Sequence, residues 1–220
     1  MTYKLISFDK IPSTQLYAHK LISQSCAADR TVVLADAQSA GRGRYRRAWV
    51  SHHGNLYASF IYSAEERDPK LSYAVAVAIA ETLVSFNIEP TIKWPNDILI
   101  DGKKASGVLI EYAKNFVIIG IGINIKSNPT VPEYETAKLG DYADVSRDEL
   151  LAALIKNLDI WLKRDFEIVR NRWTDLAAGL NKTIKHRGRL VELIGINENG
   201  ALVLRKGSEY IMAYGDEISI

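Results

Sequence analysis

Phe116-Val117-Ile118-Ile119-Gly120-Ile121-Gly122-Ile123-Asn124-Ile125 is the stretch that decides the fold. It carries no charge, and β-branched residues fill most of it, which marks a strand buried at the centre of a sheet. Side chains alternate with a period of two, so Gly120, Gly122 and Asn124 share one face. Two bare positions on that face predict that something packs closely against them. Asn124, ending the row, is a candidate ligand contact. The pattern is not a dinucleotide fingerprint, because a third glycine is missing and no helix follows.

Working outward, residues 105–111 read as a neighbouring strand behind the tight hairpin turn Asp101-Gly102. Lys103 and Lys104 stand at that hairpin, where lysines are ordinarily solvated. Residues 91–100 read as strand–turn–strand. Pro95 stiffens the turn, and Asn96 and Asp97 project polar groups from it. Residues 55–62, 31–35 and 3–8 supply three more strands. Pro12-Ser13-Thr14 caps a helix that runs on through Ile22, and the hydroxyls of Ser13 and Thr14 are placed either to cap it or to face a ligand at its N-terminus. Residues 69–86 give the clearest helix, with Leu71, Ala74, Val75, Ala78, Ile79, Thr82 and Leu83 as one apolar stripe. Residues 126–145 form a loop. Ser146-Arg147-Asp148-Glu149 is a capping box opening another helix, and a further helical piece covers 165–176. Trp161 and Trp173 are expected as core anchors.

From Asn181 the composition changes. Residues 189–194, 201–205, 210–214 and 217–220 read as short strands of a small all-β module. The expectation is an α+β chain: a central mixed β-sheet flanked by helices over 1–180, and the small β domain over 181–220.

Of 220 residues, 47% are hydrophobic and 25% charged, the balance of a folded globular protein. A net charge of +2 is too small to mark a polyanion-coating protein. The basic residues are local, at 42–47 and at Lys182, Lys185, His186, Arg187 and Arg189, which favours an anionic ligand over DNA. Cys26 is the sole cysteine; no intramolecular disulfide or thiolate cluster is available, which fits a reducing, cytoplasmic compartment. Near a helix end, Cys26 is expected as a small buried filler. His19 is expected to be semi-buried. His52 and His53 have no third ligand spaced nearby. There is no signal-peptide h-region and no run near the ~20 apolar residues of a spanning helix.

The chemistry concentrates in Ala40-Gly41-Arg42-Gly43-Arg44-Tyr45-Arg46-Arg47-Ala48-Trp49. Gly41 and Gly43 allow unusual backbone angles and bring N–H groups close to an anion. Guanidinium forks match carboxylate or phosphate oxygens, and Trp49 offers a flat face for a ring. A solvated basic loop, or a nucleic-acid binding module whose affinity falls steeply with salt, are the competing readings. The chain's inventory contains no Ser/His/Asp triad or paired carboxylates and is rich in fixed positive charge. That suits an acid attacking a phosphate, with charge building on non-bridging oxygens. Lys104 would neutralise the carboxylate, and Asp97 would hold Mg²⁺ or orient an amine.

These motifs, in this order, resemble the biotin protein ligases: Gly41-Arg42-Gly43-Arg44 with Trp49, Lys93-Trp94-Pro95-Asn96-Asp97, Lys104 ahead of Ser106-Gly107-Val108-Leu109, and Gly120-Ile121-Gly122-Ile123-Asn124. Ser13-Thr14 and Gln38 also fit. The resemblance covers essentially the whole chain. It implies a biotin/lipoate ligase-like fold with a C-terminal SH3-like β-barrel. It implies that biotin and ATP, with Mg²⁺, give biotinyl-5′-AMP, from which biotin passes to a lysine of a biotin carboxyl carrier protein domain. By matching positions it assigns Ser13, Thr14, Gln15, Gln38, Arg42, Gly43, Arg44, Lys104 and Gly107 to biotin. Gly41, Arg47, Trp49, Lys93, Asn96 and Asn124 fall to the nucleotide. Lys104, Arg42, Arg44 and Asp97 fall to catalysis, with Asp97 also the metal position. Lipoate ligases and octanoyltransferases share the architecture, but the arginine loop and β module favour biotin. Three positions depart from the family pattern. Gln15 stands where asparagine is usual, Tyr45-Arg46 replaces Arg-Gly, and Ala48 stands where a basic residue is frequent. No helix-turn-helix precedes the first strand, so a form acting without DNA or membrane is expected, with a homodimer as the family habit.

Overall fold

The computed structural model describes residues 2–214 and 218. In chain order the elements are β1 (Lys4–Ile11), α1 (Thr14–Ser23), β2 (Thr31–Gln38), β3 (Leu56–Ser63), α2 (Leu71–Val84), β4 (Thr91–Lys93), β5 (Asp97–Ile100), β6 (Lys103–Ala113), β7 (Phe116–Ile123), α3 (Arg147–Trp161), α4 (Phe166–Asp175), β8 (Thr183–His186), β9 (Arg189–Ile196), β10 (Leu202–Lys206) and β11 (Glu209–Ala213). The chain divides into two compact units, Met1–Asp68 with Ala105–Leu151, and Pro69–Lys104 with Ala152–Ile220.

In the first unit the sheet runs β1-β2-β3-β7-β6. β1 and β2 are parallel and the remaining neighbours antiparallel, so the sheet is mixed. β7 lies between β3 and β6, as its uncharged run requires. Its register sets Gly122 opposite Tyr57 on one side and Gly107 on the other, and Gly120 opposite Ser59 and Leu109. Helix α1 buries Ala18, Leu21 and Ile22 against Val33, Ile61 and Ile118. Ser13 caps its N-terminus by accepting from the Leu16 N–H, and Lys114 Nζ donates to the Ile22 and Ser23 carbonyls at its C-terminus. Cys26 is exposed rather than a core filler. The chain reverses at Ser25, in the left-handed region, and carries the thiol off the packed face of α1.

In the second unit, α2 is buried nearly all round from Tyr73 to Ala80, not along a single stripe. A helix apolar on every face is one enclosed by its unit. Its residues include four alanines in this span, so neighbours approach closely. Trp173 on α4 is fully buried, its ring edge-on to Tyr73 at 5.6 Å. Tyr73 Oη accepts from Trp94 Nε1 and donates to the Gly200 carbonyl. Trp161, at the end of α3, is only half-buried, so one of the two expected anchors is a core residue. β4 and β5 pair antiparallel, and Asp101 and Gly102, both at positive φ, make the two-residue turn into β6. The small sheet is antiparallel in the order β11-β10-β9-β8. Strand β8 was not anticipated. The strand expected at 217–220 lies, Ile218 apart, outside the described residues. No helix among the described residues is long and apolar enough to cross a membrane.

Replacing Trp173 by alanine is expected to cost about 3–5 kcal/mol, because the cavity it leaves is walled by rigid neighbours. Urea unfolding measures this, and a loss near zero would show that α4 does not anchor its unit.

Candidate active site

In the first unit, a chain of buried polar groups begins at the N-terminus of α1. Thr14 donates from its main-chain N–H (2.8 Å) and from its hydroxyl (3.2 Å) to Gln38 Oε1 on β2. Gln38 Nε2 donates to Ser51 Oγ at 2.9 Å, which in turn donates to the Trp49 carbonyl. Ser59 Oγ on β3 lies 2.9 Å from Thr14 Oγ1 and 3.0 Å from Gln15 Oε1. Ser13, Thr14, Gln15, Ser51 and Ser59 are all buried. Unpaired, such groups would each cost kilocalories, so the fold has to satisfy them.

The strand face with the two glycines is occupied as the spacing predicted. A Cβ at Gly120 would stand 2.5 Å from Gln15 Oε1, and one at Gly122 would stand 2.5 Å from the Trp49 indole. Asn124, also buried, donates through Nδ2 to the Ala137 carbonyl, while its Oδ1 has no hydrogen-bond partner among the described residues. Gly107 pairs with Gly122 across the β6–β7 ladder.

The arginine loop closes on itself. Arg42 bridges Ala48, Gly43 N–H donates to the Arg47 carbonyl at 2.8 Å, and Trp49 N–H donates to the Gly41 carbonyl at 2.9 Å. The expected glycine angles are not what is found. Positive φ falls on Tyr45 (54°) and Arg46 (61°), whereas Gly43 is extended and its N–H is taken up within the loop. Gly41 serves close approach instead: a Cβ there would collide with the Trp49 carbonyl. The Tyr45 ring lies 5.0 Å from the Arg44 guanidinium and 5.7 Å from that of Arg47, and Arg44 Nη2 donates to Tyr45 Oη.

One carboxylate escaped the sequence reading. Glu111 Oε2 accepts from Gln15 Nε2 at 2.9 Å and lies 2.9 Å from His19 Nε2, while its Oε1 is 3.7 Å from Arg42 Nη2. Its only sequence signal was its place on the same face of β6 as Gly107, four residues on. Burial pushes its carboxyl up, but the hydrogen bonds from Gln15 and His19 and the charge of Arg42 outweigh burial and hold it below the usual carboxylate value.

In the second unit, Lys93, Asn96, Asp97 and Lys104 gather where β4 turns into β5 and β6 begins. Lys93 pairs with Asp97 across the β4–β5 ladder, Asn96 is buried, and Lys104 Nζ is 2.7 Å from Asp97 Oδ1. Lys104 precedes Ala105 and Gly107 on the same strand, so β6 carries residues of both clusters.

Residues 7–128 match the model of the biotin/lipoate A/B protein ligase family. The chain belongs to that family. The bifunctional ligase/repressor BirA of Bacillus subtilis is 31% identical over 100% of this chain and 75% of its own length. The biotin–[acetyl-CoA-carboxylase] ligase of Paracoccus denitrificans is 31% identical over 79% of this chain and 83% of its own length. A biotin protein ligase from Aquifex aeolicus, solved in complex with biotin and ATP, superimposes with a TM-score of 0.88 at 27% identity, covering 99% of this chain and 98% of that one. The mixed sheet with flanking helices and the small antiparallel C-terminal sheet are the fold of these ligases.

Two outcomes test this geometry. Gly122→Ala drives a methyl group into the Trp49 indole and is expected to cost about 1–3 kcal/mol by overpacking, read by urea unfolding; an unchanged midpoint would show that the indole does not rest on β7. For Glu111, the folded pKa lies below the unfolded one, so its contribution to stability is present above the ordinary glutamate value and is lost as pH falls through the folded value. Stability should therefore drop more steeply in acid for the native chain than for Glu111→Gln. Superimposable acid limbs would refute the depressed carboxyl.

Proposed function

We infer that this chain is an ATP-dependent biotin–protein ligase of the biotin–[acetyl-CoA-carboxylase] type. It activates biotin as biotinyl-5′-AMP and transfers it to a lysine of a biotin carboxyl carrier protein. The observation that carries this reading is likeness, over 79% and 99% of the chain respectively, to a biotin–[acetyl-CoA-carboxylase] ligase and to a biotin protein ligase solved with biotin and ATP.

In the first half-reaction a biotin carboxylate oxygen attacks the α-phosphorus of ATP, and the bond to pyrophosphate breaks. In the second, a lysine amine attacks the acyl carbon, loses a proton, and AMP leaves. The first step brings two anions together, the second builds negative charge on the acyl oxygen and the departing AMP, and fixed cations lower both barriers. Lys104 is the central cation, on a strand rather than a mobile loop, with Asp97 fixing its ammonium at 2.7 Å. Arg42 and Arg44 share the acyl-phosphate charge. Ser13, Thr14, Gln15, Gln38, Gly43 and Gly107 line the biotin side. Gly41, Arg47, Trp49, Lys93, Asn96 and Asn124 serve the nucleotide, with Asn124 Oδ1, which has no hydrogen-bond partner among the described residues, as an acceptor for it.

Among the described residues no three His, Cys, Asp or Glu side chains cluster as a metal site, and Asp97 is the carboxylate at the matched metal position. That donor set suits Mg²⁺ held chiefly by substrate phosphates with one protein carboxylate. When bound, the ion neutralises phosphate charge, and Asp97 is the residue that would hold it. The proposal extends to a catalytic domain ending near residue 180, a cytoplasmic enzyme acting without DNA or membrane, and a homodimer, the last checked by sedimentation.

Mass spectrometry of a carrier domain after incubation with the protein, ATP, Mg²⁺ and either biotin or lipoate tests the assignment. A biotin mass increment on one lysine is expected; lipoylation alone would move the chain to the other branch of its family. Lys104→Ala is expected to slow biotin-dependent ATP–pyrophosphate exchange by about 10²–10³-fold or more, and near-normal exchange would remove Lys104 from the catalytic role.

A further inference from the structure

We propose that Glu111 is a positioning residue for substrate binding, setting the orientation of the Gln15 amide and tethering Arg42 of the arginine loop. The role rests on the reading of this site as the biotin site.

Three donors from two separate segments converge on this one carboxylate. Gln15 and His19 come from α1, and Arg42 comes from the arginine loop. Glu111 itself sits on β6, opposite Ile118 of β7. It is the one acidic group joining α1, the sheet and the loop, among the contacts described above.

The two ends of a glutamine amide are equal in shape and opposite in hydrogen bonding, so its partners alone decide which end points where. Gln15 is buried, with Gly120 beneath it and Ser59 beside it. Ser59 Oγ can donate or accept and would tolerate either amide orientation. An ionised carboxylate can only accept, so Glu111 requires the Gln15 NH₂ and leaves Oε1 facing Ser59, next to Thr14 and Gln38. With an apolar residue at 111, nothing would enforce that arrangement, and the donor–acceptor pattern offered to a bound ligand would scramble. Reach matters as well, since an asparagine at position 15 would be one methylene short of Glu111.

The Arg42 contact is longer and more exposed, so it contributes as a tether more than as an energy source. It limits where the first guanidinium of the loop can go before substrate arrives. Both effects favour the bound ground state, so they should appear in KM for the acid and leave kcat little changed.

The test is biotin-dependent ATP–pyrophosphate exchange by the full chain, comparing Glu111→Ala, Glu111→Gln, and Glu111→Ala in a Gln15→Ala background. Glu111→Ala is expected to raise KM for biotin about tenfold, with kcat within about twofold of the native value. Glu111→Gln retains a carbonyl acceptor for Gln15 and should bring KM back to within about threefold of native. In the Gln15→Ala background, Glu111→Ala should change KM by less than about twofold, because the partner it orients is gone. Should Glu111→Ala fail to fold, Glu111→Met keeps the volume without the acceptor and takes its place. Unchanged KM, an equal effect with and without Gln15, or no rescue by glutamine would each overturn the positioning role. A native chain that exchanges pyrophosphate with no biotin dependence would overturn the reading of the function itself, a different result from native exchange indifferent to position 111.

Discussion

Two missing side chains on one strand govern the first unit. Gly120 and Gly122 leave β7 bare on one face, and Gln15 from α1 and Trp49 from the arginine loop come down onto it. A methyl group at either position would push one of them away. Because Gln15 can sit against the sheet, the start of α1 comes within hydrogen-bond reach of β2 and β3, and five polar side chains can be buried together. Each hydrogen bond there adds only about 1 kcal/mol net over its solvated alternative. The network therefore does little to drive folding. Its effect is to leave one arrangement of donors and acceptors with every member satisfied.

The arginine loop is held by a different balance. Two consecutive non-glycine residues in the left-handed region cost on the order of 1 kcal/mol each. Contacts of the Tyr45 ring with two guanidinium groups return about 0.5–1 kcal/mol each at an exposed site. Main-chain hydrogen bonds between Gly43 and Arg47 and between Trp49 and Gly41 close the loop around them. Strain and grip thus compensate one another: the Tyr45 ring gathers its two arginine neighbours and offsets the cost of the left-handed pair.

Most of the architecture was legible because it rests on local patterns. The uncharged run of β7, the turn at Asp101-Gly102 and the capping box at Ser146 are each written in a few adjacent residues. The family itself was legible as motifs in order. What escaped depended on partners far off in the chain. Glu111 looks like any glutamate near the end of a strand until α1 brings Gln15 and His19 to it, and nothing near position 111 announces residues 15 and 19. Cys26 was misread because a helical pattern does not say where the chain will turn away. The enclosure of α2 on all sides depends on what surrounds it, which one helix's periodicity cannot state. Strand β8 is four residues long, Thr183-Ile184-Lys185-His186, with exposed and buried positions alternating, too short a signal to stand out from a basic cluster.

The turn between β5 and β6 has a consequence for which lengths of chain the enzyme can tolerate. Asp101 and Gly102 are all that separate the strand ending at Ile100 from β6, whose second residue is Lys104, and both take backbone angles suited to a two-residue reversal. Side chains on a strand alternate sides, so one residue gained or lost here would rotate the ammonium to the opposite surface of the sheet and part it from its carboxylate. Longer surface loops absorb a change of length at little cost, whereas this corner acts as a frame-keeper that holds Lys104 and Asp97 on one side of the sheet.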